Sequence, residues 1–193
     1  MRNPIVLIIT GHPATGKTTL GVRLAADLSL PFFSKDGVKE SLFDTLGWLD
    51  RAWSKRLGHA TYGILYYIAE TMLAAGASFA VESNFDPVTA NVEFLRLKTL
   101  YPFRPVQVLC RADGSVLLER FRQRDLVGER HPGHVDQTTM DELNGRILGG
   151  DLAALSVGGP VIRVDTTDLT ALDYTLVLER VRQAIDSHES AVP

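Results

Sequence analysis

The sequence predicts an α/β protein with a parallel five-stranded sheet between two layers of helices. Short apolar runs, typical of buried strands, alternate with longer segments of helical periodicity along the 193 residues. A glycine-rich loop follows the first apolar run and precedes a helix-like segment. A chain of this length can form one sizeable core, so we expect a single domain over residues 1–193.

Each predicted element rests on its own pattern. Apolar runs predict strands at Ile5–Ile9, Pro31–Phe33, Phe79–Glu82, Val106–Cys110 and Val161–Val164. Helical periodicity predicts helices at Lys17–Leu28, Gly37–Leu46, Ala52–Ala75, Val88–Leu100, Ser115–Arg124, Met140–Leu148 and Leu169–Asp186.

Several boundaries of these elements have a chemical basis. Asp86 followed by Pro87 predicts a helix start, because Asp is a favoured N-cap and Pro suits the first helical position. Gly76 predicts the end of the long third helix, because glycine is the usual residue after a helix C-terminus. The apolar stretch 62–81 is therefore interpreted as a helix followed by a strand and not as a membrane span.

Composition narrows the classes of function. The chain is 45% hydrophobic and 22% charged, with a net charge of −3, which does not favour nucleic acid as the main partner. Cys110 is the single cysteine, so the sequence excludes an internal disulfide framework and suits a reducing compartment. No secretion signal is recognised at the start, and we expect a cytoplasmic protein without a membrane partner.

The most specific motif is Gly-His-Pro-Ala-Thr-Gly-Lys-Thr, residues 11–18, here called the phosphate loop. Glycines at its two ends let the backbone approach a phosphate closely, and the loop amides with the next helix N-terminus attract an anion. Lys17 can reach the β- and γ-phosphates of a nucleotide, and the Thr18 hydroxyl can bind Mg²⁺. The expected ATP-binding residues of this region are Gly11, His12, Pro13, Ala14, Thr15, Gly16, Lys17, Thr18 and Thr19.

Polar residues also follow the other predicted strands, at the sheet edge where open α/β sheets bind ligands. Asp36 comes directly after the second strand, where a carboxylate can act as a general base on a hydroxyl or cap the following helix. Glu82 ends the third strand, and an unpartnered carboxylate buried there would be costly, so we expect it to face polar groups. Asn84 fits either a substrate contact or a turn.

Together these segments resemble the P-loop kinases of the AAA-domain type. The similar segments are the phosphate loop, residues 34–36 with Lys39, residues 82–87, and the arginine-rich stretch 120–130. That group is similar to the 5′-kinase domain of phage polynucleotide kinase, to chloramphenicol phosphotransferase and to zeta-toxin kinases. The resemblance implies a P-loop NTPase fold, a three-layer αβα sandwich with a helical or flap lid, and the use of ATP with Mg²⁺.

The resemblance also implies roles for individual residues. It makes Asp36 the general base, places Lys39, Glu82 and Asn84 with Asp36 on the substrate side, and makes Glu82 a further candidate for binding the metal beside Thr18. Phosphoryl transfer depends on charge stabilisation, so Lys17, Arg124 and Arg130 are expected to be catalytic, with Arg120 near the adenine or the phosphates. Lys39 stands where the polynucleotide kinases have an arginine, which leaves a bidentate phosphate contact in question.

The segment of about residues 125–137 is expected to be a mobile flap that forms the lid. It contains His131, His134 and Asp136, whose spacing could suggest a metal site but is more typical of ordinary polar loop residues.

The expected activity is transfer of the γ-phosphate of ATP to a hydroxyl group of a small molecule, such as an antibiotic or a nucleoside-like alcohol. Three alternatives stay open. The acceptor could be a polynucleotide 5′-hydroxyl or, as in zeta toxins, a nucleotide sugar. The protein could also be a nucleotide-dependent switch or ATPase module with no acceptor. The oligomeric state is not encoded in any recognisable pattern.

Overall fold

The computed structural model describes residues 3–126, 130–134, 144, 145, 147 and 152–187. Within these residues five strands form one sheet in the order β2-β3-β1-β4-β5, and every neighbouring pair is parallel. The strands are β1 (Ile5–Gly11), β2 (Phe32–Ser34), β3 (Phe79–Glu82), β4 (Arg104–Arg111) and β5 (Val161–Asp165). The predicted parallel five-stranded sheet is therefore confirmed.

Six helices accompany the sheet in the described part of the chain. They are α1 (Lys17–Asp27), α2 (Lys35–Leu46), α3 (Arg51–Ala74), α4 (Pro87–Leu100), α5 (Gly114–Leu126) and α6 (Tyr174–Ser187). A short 3₁₀ turn covers Pro132–His134. The helix predicted at Met140–Leu148 lies largely outside the described residues. The three residues of this range that the structure describes, 144, 145 and 147, are helical.

Two separate hydrophobic clusters cover the two faces of the sheet. On one face, Leu24 of α1 and Val181 of α6 are fully buried in a cluster that includes Ile9 of β1. On the other face, Leu65 of α3 and Phe94 of α4 are buried in a second cluster. Alternate residues of the strands point to opposite faces, so a central parallel strand must be apolar on both. This packing confirms the three αβα layers.

Some predicted boundaries were wrong. The last helix begins at Tyr174, not at Leu169, and the side chains of Asp168 and Asp173 explain the difference. The Asp168 carboxylate accepts hydrogen bonds from the Thr170 amide and hydroxyl, and Asp173 accepts one from the Leu176 amide. The Asp168 bonds hold residues 168–170 in a turn in place of the predicted helical turn, and the Asp173 bond is the N-cap bond that starts the helix at Tyr174.

Other boundaries were confirmed. The Asp86 carboxylate accepts hydrogen bonds from the amides of Val88 and Thr89, as expected of an N-cap ahead of Pro87. Gly76 follows α3 with a φ of +67°, the left-handed conformation that favours glycine. In the described part of the chain, no helix combines the length and apolar character needed to span a membrane.

Candidate active site

The phosphate loop connects the end of β1 to the start of α1. Its backbone passes close to β4 at Gly11 and is left-handed at Ala14 and Gly16. A Cβ atom at Gly11 would lie 2.4 Å from the carbonyl oxygen of Cys110, so only glycine fits there without a shift. Ala14 and Gly16 adopt left-handed φ values of +66° and +74°. Residues in this conformation turn successive backbone amides toward one point and form a concave anion site. Thr15 is fully buried and donates from Oγ1 to the carbonyl of His12 at 2.8 Å, which ties the loop together.

The N-terminus of α1 differs from those of the neighbouring helices. Helices α2, α3 and α4 each have a side chain that accepts an amide hydrogen bond at the N-cap: Ser34, Asp50 and Asp86. The N-cap of α1 is Gly16, which offers no side chain, and the first turn of α1 contains no acidic residue. The amides of a first helical turn have no acceptor within the helix, so this end of α1 is suited to an external anion.

Glu82 is the last residue of β3, at the carboxyl end of the sheet where the phosphate loop begins. It is opposite Ile9 of β1 on one side and opposite Ser34 of β2 on the other. Its carboxylate accepts a hydrogen bond from the Thr18 hydroxyl at 3.0 Å and lies 3.6 Å from the Lys17 ammonium nitrogen. A hydroxyl and a carboxylate oxygen at this separation are the hard oxygen ligands that Mg²⁺ prefers, so the residues present fit that ion.

The Glu82 carboxylate is deeply buried, with 3% of its side chain exposed. Burial raises the pKa of Glu82 above its usual value, and the opposing effect of the Lys17 charge is too small to reverse the shift. The negative charge of Asp36 raises it further. A cation placed beside Glu82 would therefore relieve an unfavourable charge.

Asp36 lies in the first turn of α2, two residues beyond the end of β2. The alternative role of N-cap belongs to Ser34, whose hydroxyl accepts a hydrogen bond from the Gly37 amide at 3.0 Å. The Asp36 carboxylate contacts two cations, with Arg130 Nη2 at 3.0 Å from Oδ2 and Lys35 Nζ at 3.3 Å from Oδ1. It is about one-third exposed, at 32% of the side chain.

The charge state of Asp36 follows from these neighbours. Burial alone would raise the pKa of Asp36, but Arg130 and then Lys35 outweigh that effect and hold the pKa well below its usual range. The charge of Lys17 acts in the same direction, and Asp36 in turn affects the pKa of Glu82. The structure therefore brings five predicted residues together at the carboxyl ends of the parallel strands: Lys17, Thr18, Asp36, Glu82 and Arg130.

Lys39, one helical turn beyond Asp36, is a buried cation with 4% exposure. Its ammonium group donates to the Ser54 hydroxyl of α3 at 2.8 Å and lies 5.1 Å from the centre of the Phe43 ring. Burial, followed by the charge of Lys35, lowers the pKa of Lys39 to about 8. In this state Lys39 contacts α3, so the expected contact with substrate stays a prediction.

The remaining predicted arginines lie on α5. The guanidinium of Arg120 donates to the carbonyl groups of Thr166 and Thr167, so it fixes the turn after β5. This turn is close to the phosphate loop, because a Cβ atom at Gly16 would be 3.6 Å from a methyl group of Leu169. Arg124 has its guanidinium carbon 5.4 Å from the centre of the Phe121 ring.

Asn84 follows β3 beside Tyr62, an aromatic residue of α3. The hydroxyl groups of Tyr62 and Ser83 are 2.9 Å apart, and Ser83 Oγ lies 3.5 Å from Asn84 Oδ1. Tyr62 projects from α3, more than twenty residues earlier, so only the packing of α3 against the sheet reveals this group of hydroxyls.

Part of the predicted lid segment, about residues 125–137, is described. Helix α5 runs to Leu126, two residues beyond its predicted end. Residues 130–134, here called the docking turn, lie against α2, and the lid role of the whole segment stays a prediction. Asp136 lies outside the described residues. His131 and His134 contact Asp44 and Glu40, and no cluster of three His, Cys, Asp or Glu side chains in the described ranges could hold a metal ion.

Comparisons with known proteins agree with this architecture. The family model described as an AAA domain matches residues 6–147. A crystal structure from Chloroflexus aurantiacus, described as a putative kinase, is 43% identical in sequence, with a TM-score of 0.87. That match covers 95% of this chain and 99% of the other. No curated protein matches this chain.

More distant structures share the fold alone. A sugar kinase from Janibacter sp. is 18% identical with a TM-score of 0.55, and the match covers 96% of this chain and 95% of that chain. A gluconokinase from Sinorhizobium meliloti is 16% identical with a TM-score of 0.51, over the full length of both chains. The chain has the α/β fold of P-loop kinases, and it belongs to the AAA domain family.

Proposed function

We propose that this protein is a phosphotransferase that moves the γ-phosphoryl group of ATP, with Mg²⁺, to a hydroxyl group of a small molecule. The observation that carries the proposal is the position of Asp36. An ionised carboxylate stands next to the phosphate loop, within range of the charges of Lys17 and Arg130. This is where a hydroxyl must be oriented if it is to attack a nucleotide bound by the loop.

Relatives and charge support the same class of reaction. The 43% identical protein is described as a putative kinase, and the same fold serves a sugar kinase and a gluconokinase. A net charge of −3 gives no general attraction to a polynucleotide. These points favour a small hydroxylated acceptor over nucleic acid.

On the nucleotide side, the proposal assigns the phosphates to the phosphate loop. The backbone N–H groups of the phosphate loop, other than at Pro13, and those of the first turn of α1 surround the phosphates, and Lys17 neutralises their charge. The Thr18 hydroxyl binds Mg²⁺, and Glu82 binds the ion or its waters. When bound, the magnesium–nucleotide complex supplies the electrophilic phosphoryl group and neutralises part of its charge.

On the acceptor side, Asp36 accepts a hydrogen bond from the attacking hydroxyl and takes its proton as the bond to phosphorus forms. The bond between the γ-phosphorus and the bridging oxygen breaks in the same step, and ADP leaves. Its ion pairs do not prevent this, because each carboxylate oxygen has two lone pairs. Arg130 and Arg124 stabilise the charge of the transferring group, and Arg120 holds the turn beside the nucleotide. Lys39 and Asn84 complete the acceptor side of the site.

The experiment that tests this proposal is a mass-spectrometric acceptor screen. The protein is incubated with ATP and Mg²⁺ and, separately, with polyols, sugar acids, nucleosides, hydroxylated antibiotics, a nucleotide sugar and a 5′-hydroxyl oligonucleotide. We expect one small molecule to gain a single phosphate, and the gain to disappear in the Lys17→Ala variant. Phosphorylation of the oligonucleotide or the nucleotide sugar would replace the small-molecule assignment, and release of free phosphate from ATP with every acceptor unchanged would indicate an ATPase switch.

A further inference from the structure

The docking turn lies along one face of α2, and three pairs of side chains join them. On α2 the partners are Asp36, Glu40 and Asp44, spaced four residues apart, so they share one side of the helix. Asp36 pairs with Arg130, Glu40 with His134, and Asp44 with His131.

One of these pairs extends into a continuous chain of hydrogen bonds. Glu40 Oε1 lies 2.9 Å from His134 Nε2, and His134 Nδ1 lies 3.0 Å from Arg130 Nη2. The same Nη2 donates to Asp36 Oδ2 at 3.0 Å. A guanidinium NH₂ group has two hydrogens, so one goes to Asp36 and the other goes to His134.

This arrangement fixes the chemical form of His134. Arginine can only donate hydrogen bonds, so His134 Nδ1 must accept and carries no proton. The proton of the neutral ring is therefore on Nε2, where it is donated to the Glu40 carboxylate. The ring is buried, with 3% of the side chain exposed, and packs edge-on against Phe43. Burial, and next the charge of Arg130, lowers the pKa of His134 to about 2, which agrees with a neutral ring.

We infer that His134 and Glu40 are positioning residues that hold the Arg130 guanidinium beside Asp36. Glu40 sets the tautomer of His134, and His134 fixes one of the two Nη2 hydrogens, so that the other is directed to the carboxylate. The inference rests on the proposed function, in which Asp36 and Arg130 act on the acceptor and the transferring group.

The structure also supplies a matched control within the same turn. His131 Nδ1 accepts from the Gly133 amide at 3.0 Å, so its proton is also on Nε2, 3.2 Å from Asp44 Oδ1. Its ring stacks on Phe43 with the centroids 5.1 Å apart. His131 thus has the same tautomer, the same kind of carboxylate partner and the same aromatic neighbour, but its Nδ1 faces backbone and not Arg130.

Kinetics with three variants test the positioning role. His134→Leu removes the acceptor for Arg130, His134→Asn keeps an oxygen near the position of Nδ1, and His131→Leu removes only the control ring. We expect His134→Leu to lower kcat by about 10- to 100-fold with little change in the KM for ATP. His134→Asn should stay within about 5-fold of wild type, and so should His131→Leu. Equal losses of kcat in the two leucine variants would overturn the inference.

A double-mutant cycle separates positioning from general stabilisation of the turn. In an Arg130→Ala background, His134→Leu should have almost no further effect on kcat, because its target is already absent. Additive losses would mean that His134 acts independently of Arg130. Thermal unfolding of every variant identifies any that fail to fold, and His134→Asn then carries the test.

A measurement that needs no turnover keeps this inference distinct from the proposed function. ¹⁵N chemical shifts of the imidazole nitrogens report the tautomer directly. We expect His134 to stay neutral with its proton on Nε2 from pH 5 to 8, and the Nδ1 shift to change in Arg130→Ala but not in His131→Leu. A His134 ring that titrates in this range, or an Nδ1 shift insensitive to Arg130, would overturn the positioning role even if the protein proves to be a kinase. Absence of phosphotransfer with these shifts intact would instead count against the proposed function.

Discussion

Two carboxylates at the ends of neighbouring strands differ in how their surroundings treat a negative charge. Glu82 is 3% exposed and has one nearby ammonium group at 3.6 Å, while Asp36 is 32% exposed and has two cations at 3.0 and 3.3 Å. The pKa of Glu82 is raised, chiefly by burial, whereas that of Asp36 is lowered, because cations outweigh burial. Burial and the number of nearby cations, and not residue type, therefore decide the direction in which each pKa shifts.

The difference suits two different tasks. A carboxylate whose charge is costly gains from a cation brought in with a nucleotide, which fits Glu82 on the phosphate side. A carboxylate that stays ionised can always accept a hydrogen bond from a hydroxyl group and orient it, which fits Asp36 on the acceptor side.

The largest effect should come from Lys17, the lysine beside Glu82, and a much smaller one from Lys35, the lysine beside Asp36. Lys17→Ala should lower kcat/KM for phosphotransfer by about 1,000-fold, because it removes a charge that stabilises the transferring group. Lys35→Ala is the matched control: it removes the ammonium 3.3 Å from Asp36 and should cost about 10-fold or less. Steady-state kinetics with saturating Mg²⁺ measure both. Similar losses in the two variants would show that the phosphate and acceptor sides do not differ as proposed.

Replacing Asp36 by Asn should reduce kcat by about 100-fold or more and leave ATP affinity intact, since the change removes the proposed base but no phosphate contact. Calorimetric ATP titration alongside turnover distinguishes the two effects. Unchanged turnover in Asp36→Asn would exclude Asp36 from the mechanism.

The pH dependence of the wild-type protein gives a separate test. Because the pKa of Asp36 lies well below its usual range, titration of Asp36 should cause no loss of wild-type activity between pH 5 and 7.

Lys39 tests how much it costs to bury a cation one helical turn from Asp36. Its pKa of about 8 lies below the usual 10.5, so its charged form costs stability below pH 8, and the cost declines as pH rises from 8 to 10.5. Allowing for the lost bond to Ser54, Lys39→Met should increase the free energy of unfolding at pH 7 by about 2 kcal/mol. Urea unfolding at several pH values should show this gain shrinking above pH 8. A gain that is constant with pH would contradict the assignment.

The smallest expected effect is a pair of stability changes of opposite sign. In the nucleotide-free protein at pH 7, Glu82→Gln should raise the free energy of unfolding by about 1 kcal/mol, because burial raises the pKa of Glu82 and the folded protein therefore disfavours its ionised form. Asp36→Asn should lower it by about 1 kcal/mol, because it breaks a partly exposed ion pair with Arg130. The Asp36 contribution is present above pH 4 and is lost as pH falls toward the lowered pKa. Thermal unfolding compares the variants, and changes of the same sign would refute the contrast between the two carboxylates.

Local sequence was sufficient for much of the fold and for one half of the site. The phosphate loop is eight consecutive residues, so the positions of its two glycines and of Lys17 at the start of α1 could be predicted from local sequence. Asp86 and Gly76 were correctly predicted to bound helices, since capping involves residues only a few positions apart. The prediction that α6 starts at Leu169 was wrong because the Asp168 bonds hold a turn there, and Asp173 caps the helix five positions later than predicted.

Tertiary structure decided the other half. Arg130 was predicted to act on the transferring group, but its pairing with Asp36, 94 residues earlier, depends on how the docking turn packs on α2. The link from Glu40 to His134 also spans 94 residues and has no sequence signature beyond the four-residue spacing of α2. The charge states of Glu82 and Asp36 likewise depend on burial and on distant cations. The sequence by itself determined where the strands, most helices and the phosphate loop lie along the chain, because these depend on neighbouring residues. Only the packed chain determined the order of the strands and which charges meet, because pairing and electrostatic energy depend on distance and exposure in space.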